Sequence, residues 1–268
     1  MGQRVGLIAG GGEFPLHVLA QVKKRGGDCV VAALRGAASP FLQNGAEVFE
    51  WFQPAEIERL VRFFKSRDIR DVILAGKVEH RTVLQDGQGT PDAVRILSRL
   101  PDRSPAAVLK ALLEYLETNG LQILDPASFL APFLLPEGGL GGGAPSASVA
   151  GDIAFGWPRA KALADLDIGQ TLVVKGLTVV AVEGMDGTDE TIRRGSRIAG
   201  DGIVVLKVGR TRQETRIDVP AVGLETVRML VGVRAAALAI EAGQVPFFQK
   251  DEAAALAEAG GLVILIKK

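Results

Sequence analysis

The first third of the chain alternates short apolar runs with stretches of helical periodicity. Val5-Gly6-Leu7-Ile8-Ala9 has the length and character of a buried strand, and Gly10-Gly11-Gly12-Glu13-Phe14 turns it into a helix. Pro15 suits the first turn of that helix, where a missing N–H costs nothing. Leu16, Leu19 and Val22 continue it and Gly26-Gly27 ends it. Residues 29–34 predict a second strand and 47–51 a third. After Pro54, the residues Ile57, Leu60, Val61 and Phe64 recur at the i, i+3, i+4, i+7 spacing of an amphipathic helix on a sheet. Val72-Ile73-Leu74-Ala75 predicts a fourth strand, ending at Gly76-Lys77. Helices over 91–100 and 104–118 follow, and Leu121-Gln122-Ile123-Leu124 predicts one more strand. Strands separated by helices of this length favour a mostly parallel, Rossmann-like sheet over residues 1–135.

Residues 136–150 are rich in glycine and proline and predict a linker. Beyond it, 151–268 is expected to form a distinct C-terminal α/β domain. Its pattern predicts a helix over 152–166, strands over 171–174 and 178–182, a helix after Asp186 and a strand over 203–208. Residues 213–219 are predicted extended and 224–242 a long helix, with a short helix over 251–259 and a last strand over 262–266.

Of the 268 residues, 47% are apolar and 23% charged, the balance of a folded globular protein. Lysine and arginine number 31, as do aspartate and glutamate, so the global field favours neither nucleic acid nor an anionic membrane. The single cysteine, Cys29, sits in an apolar run and reads as a buried structural thiol. The apolar stretch 222–240 is interrupted by Glu225, Arg228 and Arg234, whereas a spanning helix needs about 20 nearly uncharged residues. The N-terminal run is too short for a secretory signal. A protein of the cytoplasm is expected, with at most peripheral contact with the inner membrane.

Three glycines between a first strand and a first helix can aim backbone N–H groups and the positive end of the helix at a phosphate. Such a turn also serves where only positive φ is required. The nicotinamide fingerprint wants G-x-G-x-x-G and then an acidic residue near the end of the second strand. Here the last glycine is missing, and the second strand runs into Arg35-Gly36. An NAD(P)-dependent oxidoreductase is therefore the disfavoured alternative, and a non-catalytic carrier of a nucleotide sugar is another.

Gln213-Glu214-Thr215-Arg216-Ile217-Asp218-Val219-Pro220 is the segment richest in chemistry. If extended, Glu214, Arg216 and Asp218 share one face. That row fits phosphate-ester hydrolysis: arginine neutralises phosphoryl charge, and a carboxylate holds a divalent metal or orients water. It also fits a solvated salt-bridge ladder. In Asp186-Gly187-Thr188-Asp189-Glu190, Thr188 or Asp189 either caps the following helix or faces a phosphate and a metal. Lys77 follows the fourth strand, where parallel sheets place ligands, and an exposed lysine is the plain alternative. His17 and His80 belong to no catalytic or zinc-binding spacing.

Taken together these segments resemble the LpxI-type UDP-2,3-diacylglucosamine pyrophosphatase family of lipid A biosynthesis. The likeness rests on residues 6–15, Ala75-Gly76-Lys77-Val78, Leu135-Pro136-Glu137-Gly138 and Asp152-Ile153-Ala154-Phe155-Gly156. It continues through Leu166-Asp167-Ile168-Gly169-Gln170, Ala181-Val182-Glu183, Gly187-Thr188-Asp189 and residues 213–220. It implies a hydrolase that splits UDP-diacylglucosamine into UMP and the sugar phosphate lipid X, attacking the phosphorus next to the sugar. A divalent cation (Mg²⁺), a Rossmann-like first domain, a catalytic and lipid-binding second domain, and a homodimer are implied as well.

The family's essential aspartate maps onto Asp218, so Asp218 and Arg216 are the expected catalytic pair. Gly10, Gly11, Gly12, Glu13, Lys77, Gly169, Gln170, Thr188, Asp189, Gln213 and Glu214 are the expected substrate contacts, with Asp218 and Asp189 as metal ligands. Val227, Leu230, Val231, Leu238, Phe247 and Phe248 are candidates for an acyl-chain groove, or else for core. Two departures stand out. Arg210-Thr211-Arg212 replaces the usual Lys-Pro, and Pro220-Ala221-Val222-Gly223 loses a hydroxyl present in the family's Pro-Thr-Ile-Gly.

Overall fold

In the computed structural model the described residues are 3–77, 94, 98, 100, 105–213, 215–216 and 219–268. The chain divides into two compact units, one of Met1–Leu130 with Thr215–Ile217 and the other of Ala131–Glu214 with Asp218–Lys268.

The first unit is built on five parallel strands: β1 Arg4–Ala9, β2 Asp28–Leu34, β3 Val48–Phe52, β4 Asp71–Ala75 and β5 Gln122–Ile123. Their order is β3-β2-β1-β4-β5, with every pairing parallel. The expected Rossmann-like sheet is therefore present. Its helices are α1 Phe14–Lys24, α2 Ile57–Lys65 and α3 Pro105–Thr118. Strand side chains alternate between the two faces of a sheet. Ile8, Val30, Ala32 and Leu34 cluster with Leu60, Val61 and Phe64 of α2 and Leu113 and Leu116 of α3. The intervening Leu7, Cys29, Val31 and Ala33 are equally buried, and α1 packs on β1 and β2 through Val18, Leu19 and Val22. Both faces being covered explains why these strands are continuous apolar runs. Most of the helix expected over 91–100 lies outside the described residues, as does His80.

The second unit holds a six-stranded mixed sheet in the order β6-β11-β10-β9-β7-β8. Its strands are β6 Gly138–Gly141, β7 Thr171–Lys175, β8 Thr178–Val182, β9 Val204–Lys207, β10 Ala237–Glu241 and β11 Val263–Lys267. The central β9, β10 and β11 run parallel, while β6, β7 and β8 are antiparallel to their neighbours. The helices are α4 Ala147–Asp165, α5 Gly187–Ala199, α6 Leu224–Gly232 and α7 Lys250–Gly260. One sheet face packs Leu172, Val174, Val204 and Leu206 on Ile153, Ala160 and Ala164 of α4. The other packs Val173, Val205, Leu238 and Ile264 against α5, α6 and α7.

Three expectations change here. The segment read as a linker is largely structured: Gly138–Gly141 is an edge strand on β11, and Ser146 caps α4 by accepting from the Val149 N–H. Glycine composition signalled a loop, but a glycine strand still has a full backbone ladder to offer. The long helix over 224–242 is in fact α6 followed by β10. Arg234, at φ 51°, adopts a left-handed conformation just past α6, and Ala237-Leu238-Ala239-Ile240 is fully buried between β9 and β11. An apolar run buried on both faces has no period to separate strand from helix. Finally, Thr215 and Arg216 lie in a turn and not in an extended segment.

Candidate functional site

Parallel α/β sheets place ligands beyond the carboxyl ends of their strands, where the strand order reverses. In the first unit that point falls between β1 and β4, where the chain turns from the β1-β2-β3 direction to β5. The glycine loop and Lys77 meet there. Gly11 and Lys77 form a two-way backbone bridge, Gly11 N–H to the Lys77 carbonyl at 2.7 Å and Lys77 N–H to the Gly11 carbonyl at 2.9 Å. Gly10 N–H donates to the Ala75 carbonyl at 2.8 Å.

This crossing explains the glycines and corrects one expectation. A Cβ on Gly10 would stand 2.6 Å from the Lys77 carbonyl oxygen, and one on Gly76 would stand 2.6 Å from the Gly11 oxygen. The N–H groups of Gly10 and Gly11 are consumed inside the protein, so they do not hold a phosphate. What the loop offers a ligand is its exposed Gly12, the start of α1 with half-buried Glu13, and the exposed Lys77. Arg35, which sequence reasoning met only as a missing carboxylate, is exposed at the end of neighbouring β2, with its guanidinium 5.9 Å from the Trp51 ring centre.

The second unit carries a buried polar cluster at the carboxyl end of its interior strand β9. Lys207, the last residue of β9, is 5% exposed. Its ammonium donates to Thr188 Oγ1 at 2.6 Å and to Thr171 Oγ1 at 3.0 Å, and lies 3.7 Å from Glu183 Oε2. Thr188 in turn donates to Glu183 Oε1 at 2.8 Å, and the Gln170 N–H reaches Glu183 Oε2 at 3.2 Å. Burial pushes the Glu183 carboxyl up, but the Lys207 charge and the hydrogen bonds from Thr171, Thr188 and Gln170 outweigh it and hold the group low. Gly169 closes the cluster, since a Cβ there would stand 2.2 Å from the Glu183 carbonyl oxygen.

Gly169, Gln170 and Thr188 are thus brought together, around a lysine and a glutamate that sequence reasoning did not place in the site. A lysine at the end of the otherwise apolar run Ile203-Val204-Val205-Leu206 was the signal. Asp189 is exposed in the first turn of α5. Among the described residues no three His, Cys, Asp or Glu side chains gather in one place.

The chain leaves the carboxyl end of β9 at Val208, and Val222 pairs with Phe247 in the segment after β10. Gln213 Oε1 accepts from the Arg210 N–H at 3.0 Å. Thr215 Oγ1 donates to Asp125 at 2.5 Å, and Arg216 lies 3.3 Å from Glu117. Glu214 and Asp218 lie outside the described residues. The candidates for an acyl groove are core: Val227, Leu230, Leu238, Phe247 and Phe248 are all buried, and Val231 packs on the same cluster. Among the described residues no helix is long and apolar enough to cross a membrane.

A parallel sheet with a glycine crossing at its switch point, joined in one chain to a mixed sheet with a buried charged cluster at the end of β9, defines a two-domain α/β protein. Sequence models of the LpxI N-terminal domain and the LpxI C-terminal domain match residues 4–133 and 136–265. The chain belongs to the LpxI family. It is 28% identical over 282 residues to the UDP-2,3-diacylglucosamine pyrophosphatase LpxI of Caulobacter vibrioides, covering 98% of this chain and 97% of that protein. Two solved structures are far more distant. L-threonine dehydrogenase from Phytophthora infestans is 10% identical, over 45% of this chain and 34% of its own, with a TM-score of 0.27. The Bordetella bronchiseptica enzyme WbmH, with NAD⁺, is 12% identical, over 45% and 54%, with a TM-score of 0.28.

Proposed function

We propose that this protein hydrolyses the diphosphate of UDP-2,3-diacylglucosamine to UMP and 2,3-diacylglucosamine 1-phosphate, lipid X, in lipid A biosynthesis. The observation that carries the reading is the end-to-end match to a relative named for that pyrophosphatase activity. The switch-point site of the first unit supports it, with Lys77 and Arg35 as cations for the nucleotide and its phosphates. In this reading Arg216 neutralises phosphoryl charge, and Asp218 orients the attacking water or holds Mg²⁺. Mg²⁺ is bound through one or two carboxylates plus phosphate oxygens and water, so the fit asks for few protein ligands. When bound, the cation supplies further charge neutralisation on the diphosphate. Gly169, Gln170, Thr188 and Gln213 are kept as substrate contacts of the second unit, the first three acting through the Lys207 cluster. A homodimer working in the cytoplasm, with at most transient membrane contact, completes the proposal.

Incubating the protein with UDP-diacylglucosamine and Mg²⁺ and measuring UMP tests this directly. Turnover is expected, with an Asp218→Ala loss of about a hundredfold or more, the scale of a positioned base, and arrest by a chelator. Water enriched in ¹⁸O should label the phosphate of lipid X and not UMP. Binding without UMP release would instead make the protein a carrier.

A further inference from the structure

The segment that launches the Arg216 and Asp218 loop is gripped residue by residue. Gly209, two residues beyond the end of β9, has both backbone groups held by one ion pair. Lys161 of α4 donates to the Gly209 carbonyl at 2.7 Å, and Glu241, the last residue of β10, accepts the Gly209 N–H at 2.8 Å. Lys161 and Glu241 themselves meet at 3.0 Å through both carboxylate oxygens, and their side chains are only 24% and 16% exposed. The next two residues are tied to the last residue of the same helix and to the turn just beyond it. Arg210 pairs with Asp167 at 2.5 Å, and Thr211 gives its N–H and hydroxyl to Asp165 at 2.7 and 2.8 Å.

Ordinary loops do not need this much fixing. A strand exit clamped from a helix on one side and a neighbouring strand on the other is what a loop requires when its later residues must act at a defined place. The ion pair is suited to the task because it addresses the backbone. Hydrogen bonds to charged groups are about twice as strong as neutral ones, and a pair shielded from water is screened little by salt.

We propose that Lys161 and Glu241 are positioning residues for the hydrolysis, setting through Gly209 the direction in which residues 210–213 leave the sheet. The inference rests on the proposed function for its chemistry but not for its geometry. Neither residue touches the substrate. Their loss is therefore felt in turnover and not in affinity, because a displacement of about 1 Å at a reacting group can cost on the order of a hundredfold.

The test compares wild type with Lys161→Met, Lys161→Arg and Glu241→Gln in the UMP assay, together with amide hydrogen exchange of the peptides covering residues 209–222. Lys161→Met is expected to lower kcat by about tenfold or more with KM within about twofold, and Lys161→Arg to restore most of it. Exchange across 209–213 should quicken about tenfold in Lys161→Met while β9 and α4 stay protected. Unchanged exchange overturns the proposal, whether or not the wild type makes UMP. Quickened exchange with unchanged kcat also overturns it, as does a loss of both kcat and protection throughout the second unit without rescue by arginine. A wild type that makes no UMP refutes the proposed function alone, and the exchange result then decides the clamp.

Discussion

Replacing Lys207 by methionine should destabilise the second unit strongly, and the size of the effect follows from what would be left behind. The lysine and Glu183 side chains are 6% and 13% exposed, so removing the cation strands a carboxylate away from water. Breaking a buried pair from one side costs about 3–5 kcal/mol, whereas replacing both members by apolar residues is often neutral. Two threonine hydroxyls lose their donor as well. Unfolding by urea is best read through Trp157, which lies in α4, with Trp51 of the first unit changed to phenylalanine. At pH 7 the single variant should lose about 3–5 kcal/mol, and Lys207→Met/Glu183→Leu should recover most of it. The deficit also has a sign in pH. In wild type, Glu183 titrates below its unfolded value, so its contribution is present above that value and fades as pH falls through the folded one. In Lys207→Met burial dominates and the carboxyl takes up its proton more readily, so the gap between the two proteins should narrow on acidification. A loss under about 1 kcal/mol, the value of an exposed pair, would refute the reasoning, as would a double variant weaker than the single one.

Three further outcomes are expected. Gly10→Ala puts a Cβ 2.6 Å from the Lys77 carbonyl and should cost about 1–3 kcal/mol of overpacking, read by Trp51 fluorescence in a Trp157→Phe background. Burial pushes the Cys29 thiol up to about 12, so it should resist thiol reagents at pH 8 in the native protein and react fully in urea. Burial lowers the pKa of half-buried His17, so its contribution is complete above its ordinary value near 6.5 and is lost as pH falls below it. His17→Gln should flatten the pH dependence of the urea midpoint in that window, and an unchanged slope would show that burial does not act on this group.

The first sheet was legible because its signals were local. Val5 to Ala9 and Val72 to Ala75 are short apolar runs between glycine turns, and α2 shows an unbroken helical stripe from Ile57 to Phe64. The second sheet hid its central strand. Ala237 to Glu241 follows α6 with only a left-handed Arg234 and a few residues between, and nothing in an apolar run declares that it is enclosed on both faces. The glycine motif was correctly placed between strand and helix, but its backbone donors turned out to serve β4, a pairing some sixty-five residues away that spacing cannot reveal. Thr188 and Gln170 were singled out as ligand contacts, while Lys207, the charge that organises them, was passed over as part of a strand.

One consequence of the turn at Thr215 and Arg216 concerns how the chain can be taken apart. Because Asp125 and Glu117 find partners on a stretch some ninety residues downstream, the N-terminal unit is discontinuous in sequence. Expressing residues 1–130 alone would leave two of its carboxylates without the side chains they now meet. The halves are therefore better dissected by mixing fragments and looking for reassociation than by a single cut.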